Sequence, residues 1–254
     1  MKTQEKNFDG IKLSGFTAIL IMLALTGTAI YLLSLPQTPS IIAGVICGIC
    51  VVVMLPGFMI IQPNNSRVLT FFGRYAGTVI SNGFYWVNPL FLKSTVTLRI
   101  LNLNIDPIKV NDKVGNPIMI GAVVVWRIKD TYKASFDISG NIREFVQIQS
   151  DAALRQVAGM YAYDTNETID KVTLRSDESG EITQRLEDEL NSRLAIAGIE
   201  IVEARINYLA YASEIASVML RRQQADAIIS ARERIVEGAV SMVHLALEKL
   251  EKDG

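Results

Sequence analysis

The chain of 254 residues has one histidine, two cysteines and seven prolines, and it has no charged side chain at all between Leu13 and Ser66. Each scarcity excludes something. With His244 as the only imidazole, no zinc site of a two-histidine kind can form within one chain. His244 lies beside Val243, Leu245 and Ala246 on an expected long helix, where packing or solvation suits it better than catalysis. Cys47 and Cys50 have C-x-x-C spacing but fall inside the uncharged stretch, where a thiolate would be costly. They read as small apolar residues of a packed or lipid-facing helix. No G-x-S-x-G elbow, P-loop, H-E-x-x-H or G-x-G-x-x-G fingerprint occurs, which removes the usual frameworks of hydrolases, nucleotide-binding enzymes and zinc proteases. A membrane-linked hydrolase is therefore only a remote alternative, and no catalytic, cofactor or metal residue is assigned.

What is present is a contrast between two halves. The uncharged stretch is 54 residues long, enough for two spans of about 20 residues each. The first twelve residues carry three lysines against Glu5 and Asp9. Of 25 basic and 26 acidic side chains, 22 and 24 then remain from Arg67 onward. Such a balance leaves no electrostatic footprint for nucleic acid. The reading is a polar-surfaced domain attached to a membrane.

Leu35-Pro36-Gln37-Thr38-Pro39-Ser40 interrupts the apolar run, and two prolines so placed predict a turn at 36–40. The expected spans are about Leu13–Leu35 and Ile41–Ile61, with Pro56-Gly57 kinking the end of the second. The first run is longer than the core of a signal peptide, and no A-x-A-like site precedes Pro36. Lys2, Lys6 and Lys12 before the first span, and Arg67 and Arg74 after the second, put both ends on the cytoplasmic side by the positive-inside rule. Ser40, Gly44 and Gly48 form a small-residue ladder on one face of the second span, suited to close helix packing within the hairpin or between subunits.

Beyond the membrane segment the hydrophobic period alternates between two kinds. Arg67–Phe72, Thr95–Ile105 and Ile118–Ile128 read as strands, punctuated by Gly73, Gly83 and Gly115. Asn141–Met160 changes to helical spacing. Glu178–Ala197 reads as a second helix with the stripe Ile182, Leu186, Leu190 and Leu194, the i,i+4 pairs Glu181–Arg185 and Glu189–Arg193, and Gly198 as its C-cap. Ile199–Leu209 returns to strand. The fold class expected is α+β: a transmembrane helical hairpin, an α+β domain over 62–210, and a long coiled-coil-like helix over 211–254, after an N-terminal tail of residues 1–12.

That last helix is expected to begin at a Ser213 cap and to carry Ile215, Met219, Ala225, Ile228, Ile229, Ile235, Val236, Val240, Val243 and Leu247 as a stripe. It is too long to bury itself on a small domain, so the stripe is expected to bind other copies of the chain. Being rich in alanine and imperfectly heptadic, it suits many helices side by side. The four aromatics Phe84, Tyr85, Trp86 and Phe91, soon after the second span, are expected to bring at least two rings to the membrane surface.

Four ordered blocks carry a family resemblance: VLTFFGRYAGTVISNGFYWVNPL (68–90), GNPIMIGAVVVWRIKDTYKASFD (115–137), QSDAALRQVAG (149–159) and GIEIVEARINYLAYASEIASVMLRRQQADAII (198–229). Together they resemble the stomatin/prohibitin/flotillin (SPFH, Band 7) superfamily, in its bacterial membrane-anchored form, over about Ile61–Leu247. The resemblance implies a non-enzymatic scaffold in the bacterial cytoplasmic (inner) membrane. Its SPFH domain would lie against the bilayer on the cytoplasmic side, and its helix would join many subunits into a ring or cage. It implies lipids and other copies of the chain as partners, with a membrane protease or channel as a further one and no cofactor. A dedicated regulatory subunit of such a protease or channel is the alternative. Two departures stand out: many relatives have one span or a re-entrant hairpin, and similar bacterial proteins continue beyond the helix that here ends near Gly254.

Overall fold

A computed structural model describes residues 5–164, 173–175 and 180–253. The uncharged stretch forms two helices, α1 (Gly15–Ser34) and α2 (Thr38–Met54), and a single 3-10 turn, Leu55–Gly57, ends the second. The turn between them is shorter than the two prolines suggested. Pro39 sits in the first turn of α2, where its missing N–H costs nothing and its fixed φ favours the helix. At the other end the chain leaves the helical path sooner than expected. Leu13–Ser14 is a short strand, β1, and Phe58–Ile61 is a strand, β2, so residues 58–61 belong to the polar-surfaced part and not to the span.

Three small sheets follow. β5 (Gly83–Trp86) lies between β1 and β2, antiparallel to both. β3 (Asn65–Phe71) lies between β4 (Arg74–Val79) and β6 (Phe91–Thr97), with a bulge between Leu69 and Thr70. The third sheet has the order β7 (Leu101–Asn111), β8 (Pro117–Ile128), β9 (Ile199–Tyr211). The run Thr95–Ile105, expected as one strand, is thus divided between β6 and β7. Its alternation continues across Leu98–Ile100 in sequence, but the chain changes sheets there and Ile100 is exposed. The remaining helices are α3 (Thr131–Phe136), α4 (Ile142–Ala158), α5 (Glu181–Leu194) and α6 (Ser213–Asp253). The expected start of α5 at Glu178 falls on residues outside those described.

The chain divides into two compact units. The first comprises Met1–Ile105, Val123–Ala153 and Thr183–Arg205, and the second Asp106–Ala122, Leu154–Ile182 and Ile206–Gly254. In the first, Met59, Ile61, Leu69, Val79 and Val87 form a buried cluster with Phe8, Ala76, Tyr85 and Phe91 around it. In β8, Ile118, Ile120, Val124, Trp126 and Ile128 are buried at period two. The α5 stripe Ile182, Leu186, Leu190 and Leu194 is fully buried, each side chain contributing about 1.5–3 kcal/mol by leaving water. Of the two helical ion pairs expected, Arg193 Nε donates to Glu189 at 2.6 Å, while Glu181 accepts from the Tyr161 hydroxyl at 3.4 Å.

Gly198 follows the 3-10 turn Ala195–Ala197 as its C-cap, with φ 67°, and a Cβ there would meet the Asp130 carbonyl oxygen at 2.6 Å. Its own carbonyl accepts from the backbone N–H groups of Lys129 and Asp130. Next to it in β9, Glu200 accepts from Arg127 and Lys129, both at 2.7 Å, and these cations hold its carboxyl below the usual carboxylate range.

Gly198→Val is expected to cost about 1–3 kcal/mol of stability through backbone strain and the clash, seen as a lower unfolding midpoint in detergent. A depressed folded pKa contributes stability that is present above the unfolded pKa and lost as pH falls through the folded one. The stability gap between the native chain and Glu200→Gln should therefore be open at neutral pH and close on acidification below about pH 4. Denaturant titrations at three pH values check it.

Candidate membrane interface and assembly helix

α1 and the segment Thr38–Gly57 are each 20 residues of high hydropathy, with little of either buried by the rest of the chain. At 1.5 Å per residue each reaches about 30 Å, the thickness of a bilayer's hydrocarbon core. Three hydroxyls of α1 are satisfied locally: Thr26, Thr28 and Ser34 donate to the carbonyls of Met22, Leu25 and Tyr31 at 2.7–2.8 Å. That matters where water is absent. The helices pack on each other where Gly44 meets Ala29 and Leu33, with Gly44 and Ala29 both buried. A Cβ at Gly44 would come within 2.8 Å of Leu33 Cγ and 3.1 Å of the Ala29 oxygen. Ser40 is half-buried and Gly48 faces open space, so the small-residue ladder meets α1 at Gly44. Cys47 and Cys50 are both free thiols on α2.

β5 gathers the two ends of this hairpin. Phe84 lies over Gly15, edge-on to Phe16 at 5.6 Å and stacked on Phe58 at 5.6 Å. Trp86 Nε1 donates to the Met54 carbonyl at 2.9 Å, and its ring covers Gly57. Both side chains therefore sit where α1 begins and α2 ends. Tyr85, on the opposite face of the strand, belongs to the buried cluster, and its hydroxyl donates to the Asn82 carbonyl at 3.1 Å. The Lys12 ammonium stands 4.7 Å above its ring. Phe91 packs against Phe8 and Phe71 at 5.4 and 5.3 Å. Of the four aromatics expected at the membrane, Phe84 and Trp86 touch the helix ends, while Tyr85 and Phe91 face the domain. Alternation along β5 divides Phe84 and Trp86 from Tyr85, and Phe91 lies on β6. Lys93 Nζ donates to the carbonyls of Pro56 and Phe58, and burial, with the Arg67 charge nearby, pushes its ammonium below the usual lysine range.

Sequence reasoning missed the role of the N-terminal tail. Phe8 N–H donates to the Thr78 carbonyl at 3.1 Å and Thr78 N–H to the Lys6 carbonyl at 2.9 Å, so the tail lies along β4. Gly77 permits this, because a Cβ there would be 2.7 Å from the Phe8 Cα. A chain of hydroxyls runs from Tyr75 to Thr78 (2.7 Å), to Thr131 (2.9 Å), and ends where Thr131 donates to the Glu5 carboxylate at 2.6 Å. The apolar Phe8 between polar neighbours was the only sequence signal.

In the second unit, α6 has 41 residues. Ala212, not Ser213, is its N-cap residue: its carbonyl accepts from Ile215 and Ala216, while its own N–H donates to Pro117. Ser213 is the first helical residue. Glu214 pairs with Lys109, which pulls the Glu214 carboxyl down, and Gln223 Nε2 donates to Asp164 at 3.0 Å. The rings of Tyr163 and Tyr211 lie 4.0 Å apart, and burial with the Asp164 charge pushes the Tyr211 phenol up to about 12. Ile215 and Met219 are half-buried at this fastened end. From Ala225 onward Ile228, Ile229, Ile235, Val236, Val240, Val243 and Leu247 are all more than half exposed. His244 is exposed as well, and among the described residues no cluster of His, Cys, Asp or Glu could hold a metal.

With the two tryptophans so placed, a variant keeping only Trp86 should lose emission strongly to lipid-borne quenchers. One keeping only Trp126, which is 2% exposed, should not. Equal weak quenching of both would return Trp86 to the protein interior.

A search among curated proteins found no match. The SPFH domain / Band 7 family matches residues 59–239, which opens at β2 and closes within α6. That range takes in β3–β9, α3–α5 and more than half of α6, and leaves the N-terminal tail, β1, the hairpin and the far end of α6 outside. The chain belongs to the SPFH domain / Band 7 family.

Proposed function

We propose that this chain is a membrane-anchored scaffold. On this reading it homo-oligomerises through α6 into a ring or cage, organises a patch of membrane, and holds or restrains membrane proteins there, a membrane protease among them. The observation that carries it is the apolar surface of α6. Ile228, Ile229, Ile235, Val236, Val240, Val243 and Leu247 are exposed on one long helix, where a chain acting alone would place polar residues. Ala225, Ala239 and Ala246 interleave with them, and small side chains allow neighbouring helices to approach closely. SPFH proteins are generally non-enzymatic and commonly serve as membrane scaffolds, which agrees with a chain whose chemistry-bearing motifs are absent from its sequence.

The anchor in this reading is a two-span hairpin. β1 precedes α1, β2 follows α2, and both pair with β5, which supports one side of the membrane for both ends. The lysines of the tail support the cytoplasmic side of a bacterial inner membrane in this reading.

Ile228→Asp together with Val236→Asp should reduce a large particle to small species in detergent, measured by light scattering after size exclusion. Each buried carboxylate would cost several kcal/mol per interface, more than an Ile or Val side chain contributes. A native chain that already sedimented as a monomer would overturn the ring. For topology, with Cys47 and Cys50 replaced by serine, Gln37→Cys should react with an impermeant thiol reagent in intact cells and Glu248→Cys should not. The reverse pattern would place the domain outside.

A further inference from the structure

The first unit holds a cavity of about 520 Å³, within the size range of small-molecule sites. Five parts of the chain line it with polar side chains: Glu5 of the tail, Lys129 and Asp130 after β8, Lys133 of α3, Asn191 of α5 and Glu200 of β9. Five of these six side chains are charged, and both signs are present. All but Lys129 are half-buried, so each gives up part of its hydration. The fold leaves much of their bonding capacity unused. The Glu200 carboxylate accepts from Arg127 and Lys129, both at 2.7 Å, so one negative charge stands between two positive ones. Lys133 Nζ donates to the Ala195 carbonyl at 3.5 Å, a long bond, and has no carboxylate partner among the described residues. Asn191 Oδ1 accepts from the Ile201 N–H at 3.0 Å, which leaves Nδ2 uncommitted among those residues. On the acidic side, Glu5 accepts from the Thr131 hydroxyl at 2.6 Å and Asp130 from the Lys133 N–H at 3.0 Å. Neither carboxylate forms an ion pair with a described residue, and each keeps a second oxygen.

Half-buried charges that the fold leaves unpaired are offset by a ligand that brings the opposite charge. A lone anion would meet Lys133 but also the carboxylates of Glu5 and Asp130, and a lone cation would face Lys129 and Lys133. One molecule with both charges satisfies both sets. We propose that this cavity binds a small zwitterion of the short-peptide class. Its carboxylate is held by Lys133, the Asn191 amide and Lys129, and its ammonium by Glu5 and Asp130. A sphere of the cavity's volume is about 10 Å across, the length of three extended residues at about 3.3–3.6 Å each. Ala195 and Ile199 also line the cavity and supply apolar wall for small side chains between the charged ends. This site goes beyond the scaffold reading and does not depend on it.

The test titrates the full chain in detergent with trialanine by calorimetry at about pH 7, where the α-amino group is charged. N-acetyl-trialanine lacks the ammonium and trialanine amide lacks the carboxylate. Trialanine should bind, and each of the other two about tenfold more weakly. Asn191→Asp keeps an oxygen for the Ile201 N–H but replaces the amide donor by a negative charge. It should weaken trialanine about tenfold and leave trialanine amide no weaker than before. Glu5→Gln keeps an acceptor for Thr131 and should weaken trialanine while leaving N-acetyl-trialanine unchanged. A general loss of structure would weaken all three peptides alike, so this crossed pattern reads the site itself. Absence of trialanine binding up to about 10 mM would overturn the proposal. Equal affinity for the three peptides, or variants that bind trialanine as the native chain does, would overturn it as well.

Discussion

Everything in the first unit depends on one constraint: two long apolar helices must return to the same small sheet. β5 meets that constraint by accepting β1 on one side and β2 on the other, so the strand before the hairpin and the strand after it share one partner. The arrangement leaves no slack. Leu13 and Phe58 both stand opposite Trp86, and the Trp86 ring closes the gap by covering Gly57 and bonding to Met54. Glycine at 15 and 57 is therefore a packing requirement set by Phe84 and Trp86 rather than a flexible joint. The hairpin is thus fastened to one sheet at both of its ends.

The tail strengthens that fastening by a different kind of interaction. Its backbone bonds to Thr78 supply direction, Phe8 supplies apolar burial in the cluster around Leu69, and Glu5 supplies a charged end to a buried hydroxyl chain. Thr78 and Thr131 are each 1% exposed, and a buried hydroxyl without a partner would cost about 1–3 kcal/mol. Glu5 completes the chain by accepting from Thr131. A loss of the tail would therefore harm the domain core as well as the anchor, although it adds only a few residues to it.

How much of this was legible follows from the kind of signal each element leaves. The uncharged stretch, the α5 stripe Ile182–Leu194, the Gly198 cap and the length of α6 come from local periodicity and local chemistry, and the structure has each of them. The boundaries at Phe58 and at Leu98–Ile100 were not legible. Apolar residues continue across both points, and only pairing with a distant strand decides where helix becomes sheet or one sheet gives way to another. The tail was least legible of all, because its mixed residues have no period, and those described are placed by contacts with residues 75–85, 91 and 131. At the interface, composition identified an aromatic cluster, and alternation implied that it must divide. Which two rings reach the helix ends depended on the register of β5.

The same logic explains why α6 differs from α4 and α5. α4 and α5 find their apolar partners within the fold, and their buried residues fall to nearly zero exposure. α6 is fastened at its start, through Ala212, Glu214 and Gln223, and then continues for about 45 Å beyond Gln223 with its isoleucines and valines exposed. Helix propensity sustains a solitary helix of that length only weakly, since most helical stability in proteins comes from packing one face. The charges offer partial compensation: Arg222 and Asp226 approach at i,i+4, but at 3.9 Å and in solvent, a contact worth a few tenths of a kcal/mol. Apolar surface on this scale is stabilised by burial, and on the proposed scaffold reading a membrane anchor would set many copies in the same orientation. Confinement to one plane raises the local concentration of the α6 surfaces and removes most of the orientational cost of association. On that reading the anchor would lower the threshold at which the helices pair, so that even an imperfect heptad would serve.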